Sequence, residues 1–239
     1  MDELTDKLLG VIAPHICKSC GEQGASLCDR CIFDVLQHKY TKCAVCFHNI
    51  NAKNFAKSGN LCPTCARVSQ FTKIFIVGAR EEILQRLVDD YKFNSEHGAA
   101  EPLAKLLAKT LPPVLPPDMT VVPITTVAKN VRSRGFDHMK LIAKKLARIQ
   151  HLPLIPDLLL RTNNLAQHFL ANPTERRTNA EKSFAINPRA EVPAKALLID
   201  DIFTTGATVN ATAKILRSAG VQDIWLAVVM RQPQKFLAK

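Results

Sequence analysis

All eight cysteines of this chain precede residue 66, and they fall into four C-x2-C pairs: Cys17/Cys20, Cys28/Cys31, Cys43/Cys46 and Cys62/Cys65. Two residues between thiols form a tight knuckle whose sulfurs can both reach one Zn²⁺ at about 2.3 Å, and two knuckles complete a tetrahedron. Eight thiolates thus provide two zinc sites. Disulfides are the rival use of cysteine, but strict pairing at one spacing is not what a disulfide framework demands, and a reducing cytosol disfavours it. The spacing leaves two ligation patterns open. Cys17, Cys20, Cys28 and Cys31 can share one ion and the last four another, or the middle pairs can exchange. A polar segment of this size buries too little apolar surface to fold unaided, so metal binding contributes directly to folding, and the ions are read as structural. Lys39, Lys42, Lys53, Lys57 and Arg67 keep open a contact with nucleic acid or a protein partner.

Beyond Phe71 cysteine disappears and hydrophobic periodicity takes over. The expected boundary lies near residue 70, with a double zinc-ribbon module over 1–70 and a second domain over 71–239. A chain of 239 residues, 47% hydrophobic and 22% charged, can build one substantial core plus a small satellite. Apolar runs at Lys73–Gly78, Met119–Ile124, Ala196–Asp200 and Ile224–Met230 read as strands. Amphipathic patterns at Glu81–Phe93, Glu101–Lys109, Lys140–Ile149 and Thr208–Ser218 read as helices, the last stopping at Gly220. Leu111–Pro117 carries prolines that forbid a regular element. Strands alternating with helices imply an α/β fold with a parallel sheet. The acidic first residues and the short apolar run Leu8–Ile12, broken by Gly10, do not make a secretory leader, and no stretch is long enough to insert into a membrane. The chain is read as cytoplasmic.

The segment Leu197–Val209, LLIDDIFTTGATV, carries the most chemistry. It joins an apolar strand, two acids, a hydroxyl-rich turn and the start of a helix. Acids at the carboxyl end of a parallel strand face the crevice where α/β proteins bind ligands, so Asp200 and Asp201 can accept hydrogen bonds from vicinal sugar hydroxyls. Neighbouring strand residues point to opposite faces, so both acids serve one ligand only if the strand is already ending there. Thr204, Thr205, Gly206, Ala207 and Thr208 then offer hydroxyls and N–H groups at a helix N-terminus, which suits a phosphate. Gly206 lets the backbone approach the anion closely and turn with positive φ.

This segment resembles the phosphoribosyl pyrophosphate motif of type I phosphoribosyltransferases. Two further segments narrow the resemblance. Arg132-Ser133-Arg134-Gly135-Phe136-Asp137-His138 is similar to the R-x-R-G-F-(N/D)-(Q/H) signature of ComF-type competence proteins, and Arg161-Thr162, Gln167, Arg176, Asn179 and Phe184 are similar to the segment that follows it. Asp137-His138 departs from the Asn-Gln found there in many members. That family joins an N-terminal zinc ribbon to a type I phosphoribosyltransferase domain, so the resemblance covers nearly the whole chain.

The resemblance implies a site for phosphoribosyl pyrophosphate with Mg²⁺, in which an acceptor attacks the anomeric carbon as pyrophosphate leaves. Arg132 and Arg134 would stabilise the leaving group. Pro123, Ile124 and Thr125 would form the pyrophosphate loop. Residues 163–182 would form a hood, with Arg161, Gln167, Arg176 and Arg177 closing on the site. No feature names the acceptor. The family further implies a role in natural transformation, with imported single-stranded DNA and DNA-uptake proteins as partners on the cytoplasmic side of the inner membrane. A net charge of +11, with Lys129, Arg132, Arg134, Lys140, Lys144, Lys145 and Arg148 close together, is compatible with a phosphate backbone or simply with a basic, solvated surface. A non-catalytic sensor or DNA-binding adaptor, and a nucleobase salvage enzyme, are the alternative readings.

Overall fold

The structure, a computed structural model, describes residues 15–93, 96–161 and 183–234. Four strands make one parallel sheet: β1 (Lys73–Ala79), β2 (Met119–Pro123), β5 (Lys195–Phe203) and β6 (Asp223–Arg231), in the order β1-β6-β5-β2. β3 (Leu159–Arg161) and β4 (Phe184–Ile186) pair antiparallel as a separate ribbon. Each sheet strand was legible as an apolar run, because a parallel strand covered on both faces has no polar side to display.

Strict alternation along β5 divides the core. Leu197 and Ile199 face one cluster, together with Leu103, Leu107, Met139, Ile142 and Leu146. Ala196 and Leu198 face the other, with Leu159, Phe184, Val209 and Leu216. The first cluster is built by α4 (Glu82–Phe93), α5 (Ala100–Thr110) and α7 (His138–Gln150), the second by α8 (Ala207–Ser218) and the ribbon. Helix α7 begins where Asp137 accepts hydrogen bonds from the Met139 and Lys140 amides, satisfying two of the first-turn donors that lack an intrahelical partner. Met139, Ile142 and Leu146 are fully buried, each worth about 1.5–3 kcal/mol of apolar transfer.

The cysteine-rich segment holds α1 (Asp29–Gln37), α2 (Ala52–Ser58) and α3 (Pro63–Ala66). Its first half packs Cys17, Leu27, Cys31 and Ile32 into the cluster containing α5. Lys18 adds ion pairs to Asp90 at 3.3 Å and Glu96 at 3.0 Å. The second half places Ala44 and Leu61 in the other cluster. Asn60 ties this half to β1: its amide donates to the Ile74 carbonyl at 2.6 Å and its side-chain oxygen accepts from the Ile76 amide at 2.9 Å. A further helix, α6 (Ala128–Arg134), stands between β2 and α7 without a buried residue.

Candidate anion and ribose site with two cysteine groups

The cysteines resolve into two groups. Cys17, Cys20, Cys28 and Cys31 form one, Cys43, Cys46, Cys62 and Cys65 the other, and within each group the ligand atoms lie within 4.8 Å of one another. The grouping is therefore sequential, and each group could hold one ion. The Cys20–Cys28 sulfur separation is 3.7 Å and that of Cys46–Cys62 is 3.6 Å. Both are far too long for a disulfide and close to the edge of about 3.8 Å expected when four sulfurs sit about 2.3 Å from one ion. The donor set fits structural zinc.

At the carboxyl end of the sheet, β5 does not stop at the acids. It stays paired with β6 through Asp200, Ile202 and Phe203, so Asp200 and Asp201 point to opposite faces. This corrects the expectation of a strand that ends in time for both acids to share one ligand: the ladder to β6 carries the chain two residues further.

Asp201 turns into the cluster of α4 and α7. Its Oδ2 lies 2.7 Å from Lys92 Nζ and 2.7 Å from His138 Nε2, and the three side chains are 8%, 17% and 6% exposed. Arg134 Nη1 lies 3.0 Å from His138 Nδ1. Arginine can only donate, so Nδ1 accepts and the Nε2 proton is given to Asp201. Burial works against the Asp201 charge, but Lys92 and His138 outweigh it and hold the carboxyl below the usual carboxylate range.

Asp200 is half-buried on the ribbon's face and accepts the Asp201 amide at 2.9 Å. Burial, followed by the neighbouring Asp201 charge, pushes its carboxyl up to about 8. Arg161 is on the same side. Burial lowers its guanidinium below the ordinary value while Asp200 acts to raise it, and it stacks on Phe184 with 4.9 Å to the ring centre. Arg161 Nη1 also reaches the Thr125 carbonyl at 3.5 Å.

The bend beyond Asp201 is open: Thr204 and Thr205 are exposed, Ala207 and Thr208 half-buried. Gly206 adopts φ +81° at the N-cap of α8, and a Cβ there would meet Phe203 Cζ at 2.8 Å, so both conformation and space require glycine. The Thr205 hydroxyl accepts the Ala207 amide at 3.3 Å. Other first-turn amides of α8 remain without an intrahelical acceptor, which is the arrangement a phosphate needs.

The turn after β2 departs from expectation in part. Pro123 has no N–H, and the Ile124 amide is committed to the Ile199 carbonyl at 3.0 Å, so backbone donors of a pyrophosphate loop can begin only at Thr125. The Thr125 hydroxyl donates to the Leu159 carbonyl. Of the two proposed arginines, Arg134 joins the site through His138, whereas Arg132 is exposed on α6. Gln167, Arg176, Arg177 and the 163–182 hood lie outside the described residues. Lys92 and His138 are the residues that sequence reasoning missed.

The basic stretch is not one free stripe. Lys140 pairs with Asp157, Lys145 with Glu101 at 2.9 Å, and Arg148 lies 4.0 Å from Glu101. Among the described residues, Lys129, Arg132 and Lys144 are exposed without an ion pair. No described helix is long and apolar enough to cross a membrane.

The family described as "Phosphoribosyl transferase domain" matches residues 175–239. Competence protein F of Haemophilus influenzae is 26% identical over 172 residues, covering 68% of this chain and 75% of that protein. Competence protein ComFC of Streptococcus pneumoniae is 30% identical over 134 residues, 56% of this chain and 57% of that protein. The DNA utilization protein YhgH of Escherichia coli K12 is 28% identical over 154 residues, 59% and 65% of the two chains. The matches to the last two thus span less than two thirds of those relatives. Among solved structures, an adenine phosphoribosyltransferase from Thermoanaerobacter pseudethanolicus superposes at a TM-score of 0.37 and 18% identity, over 59% of this chain and 83% of that one. A hypoxanthine phosphoribosyltransferase from Staphylococcus aureus does so at 0.35 and 15%, over 59% and 65%. Two groups of four cysteines precede a parallel sheet whose last part matches the phosphoribosyl transferase domain family, and the chain is similar to competence proteins F and ComFC.

Proposed function

We propose that the chain binds phosphoribosyl pyrophosphate with Mg²⁺ at the carboxyl ends of β5 and β2, and that it serves natural transformation by handling imported single-stranded DNA on the cytoplasmic side of the inner membrane. The observation that carries the binding reading is the bend with exposed Thr204 and Thr205 ahead of Gly206, opening α8 beside the half-buried carboxyl of Asp200. The 5-phosphate would take the bend's amides and hydroxyls, and Asp200 a ribose hydroxyl. Asp201 is engaged by Lys92 and His138, so it fixes the strand end instead of competing for the sugar. Mg²⁺ would arrive with the pyrophosphate, whose oxygens it prefers, and Arg161 would face the same side. Zinc in both cysteine groups would complete the fold. A ³¹P NMR titration of ribose 5-phosphate tests the phosphate site. Line broadening that vanishes in Thr204→Ala/Thr205→Ala supports it, and an unperturbed line with the wild type refutes it.

One observation favours the second reading, a binding adaptor without catalysis. With Asp201 sequestered in a buried charge cluster, a single acid is left to the sugar. Pyrophosphate release measured with a panel of nucleobases separates the two: release identifies a transferase, and binding without release identifies the adaptor. In a transformable host, deletion should spare DNA entry into the periplasm and reduce DNA reaching the cytoplasm. A defect in the first step would contradict the proposed role.

A further inference from the structure

Arg231, the last residue of β6, is 2% exposed and spans the distance between the second cysteine group and the phosphate bend. Its Nε donates to the Ala44 carbonyl at 2.7 Å, inside the Cys43-x2-Cys46 knuckle. Its Nη1 donates to the carbonyls of Phe203 at 3.0 Å and Gln232 at 3.1 Å, and also to that of Thr204. The guanidinium lies between two aromatic faces, 4.4 Å from the centre of Phe47 and 4.6 Å from that of Phe203. Among the described residues no carboxylate pairs with it, so carbonyl oxygens, ring faces and the nearby Cys43 thiol group compensate the buried cation.

Both ends of this strut are conformationally demanding. Phe47 follows Cys46 directly and has φ +62°, a left-handed conformation disfavoured for a residue with a Cβ. The knuckle imposes it: the Phe47 amide donates to the Cys43 carbonyl at 3.1 Å, and the Cys43 amide to the His48 carbonyl at 2.7 Å. At the other end, the Phe203 ring forms the wall against which Gly206 makes its left-handed turn. A continuous set of contacts therefore runs from the knuckle through Phe47, Arg231 and Phe203 to Gly206.

We propose that Arg231 is a positioning residue that holds the Thr204–Gly206 bend in its open shape, and that it does so only while the Cys43, Cys46, Cys62 and Cys65 group is closed on a metal ion. The consequence for anion affinity rests on the reading of that bend as a phosphate site. The Cys17, Cys20, Cys28 and Cys31 group packs against α5, and among the described residues no contact joins it to Arg231, Phe203 or Gly206. Opening of the second group would loosen the bend, while opening of the first would not.

The test is hydrogen exchange of the peptide covering the bend in the full chain, with thermal melting in parallel. Variants are Cys46→Ser, Cys20→Ser, Arg231→Lys and Phe47→Gly. The last removes the stacking ring while relieving the left-handed strain, so a purely structural role predicts an unchanged or higher melting temperature and an unchanged bend. The proposal predicts exchange at the bend faster by about tenfold or more in Phe47→Gly and Cys46→Ser, and within about twofold of wild type in Cys20→Ser. Equal effects of the two cysteine variants, or an unmoved bend in Phe47→Gly, would overturn it. Affinity for ribose 5-phosphate, followed on the same proteins, separates the two readings: absent wild-type binding removes the phosphate site, and exchange alone then decides the strut.

Discussion

Removing Lys92 isolates the arrangement that most distinguishes this site. Lys92→Met keeps the aliphatic length of the side chain and deletes the ammonium 2.7 Å from Asp201 Oδ2. The carboxyl is 8% exposed, so it cannot recover the lost contact from water and is left with the neutral part of its environment and His138 at 2.7 Å. Breaking a buried pair from one side costs about 3–5 kcal/mol, because the remaining charge is desolvated and uncompensated. For a chain of this size that corresponds to a melting temperature lower by roughly 6–20 °C. The pH dependence follows from the sign of the shift. In the wild type the depressed carboxyl contributes stability that is present above the unfolded value near 3.8 and is lost only as pH falls below it. Without Lys92 the carboxyl is pushed upward by burial, so the deficit should be greatest at pH 7 and shrink toward pH 4, where it protonates. Urea unfolding at both pH values measures this. Lys92→Met/Asp201→Asn should regain much of the loss, since the amide oxygen still accepts from His138 and no charge remains. A Lys92→Met deficit under about 1 kcal/mol at pH 7, or additive effects in the double variant, would refute the buried-cluster reasoning.

Asp200 carries the opposite sign. Its carboxyl is raised to about 8, so its contribution to stability is full below the unfolded value and is lost as pH rises toward 8. Asp200→Asn should therefore gain stability over the wild type between pH 5 and pH 8, by about 1–2 kcal/mol after allowance for partial exposure, in parallel urea titrations. An advantage that fails to grow with pH would contradict the assignment. Elemental analysis should find two zinc ions per chain, and chelation should lower the melting temperature by removing binding free energy from folding. For single-stranded DNA, three unpaired cations predict a slope of log affinity on log salt near −2, since each phosphate contact contributes about −0.7. A slope near −5 would mean that all seven cations of the stretch, Arg134 and Arg148 included, engage DNA, and Lys129→Ala/Arg132→Ala/Lys144→Ala should bring the slope toward zero.

The sheet could be read from the chain because Val121, Leu197 and Leu226 belong to apolar runs that a doubly covered parallel strand requires. The major helices were legible from one buried face each, as with Leu84, Leu87, Val88 and Tyr91 in α4. Helix α6 was not, since Ala128–Arg134 buries nothing and so has no hydrophobic period. β3 and β4 are too short to declare themselves. Within the site, the bend and its glycine were visible as a local pattern. The partners of Asp201 were not: Lys92 reads as the basic last turn of an amphipathic helix, and only the fold brings it beside β5. For His138 the one available signal was its place at the end of the arginine-rich segment Arg132–His138. The grouping of the cysteines likewise needed distances, because both ligation patterns satisfy the same spacing.

On the proposed reading, the bend after β5 holds the phosphate of a phosphorylated ribose with help from Asp200. Calorimetric titration with phosphoribosyl pyrophosphate and Mg²⁺ addresses it directly, comparing the wild type, Asp200→Asn and Thr204→Ala/Thr205→Ala. Saturable binding to the wild type, weakened by about tenfold or more in both variants while their melting temperatures stay at or above the wild-type value, is the expected result. Heat traces that superimpose for all three proteins would place the ligand away from this bend and refute the phosphate site.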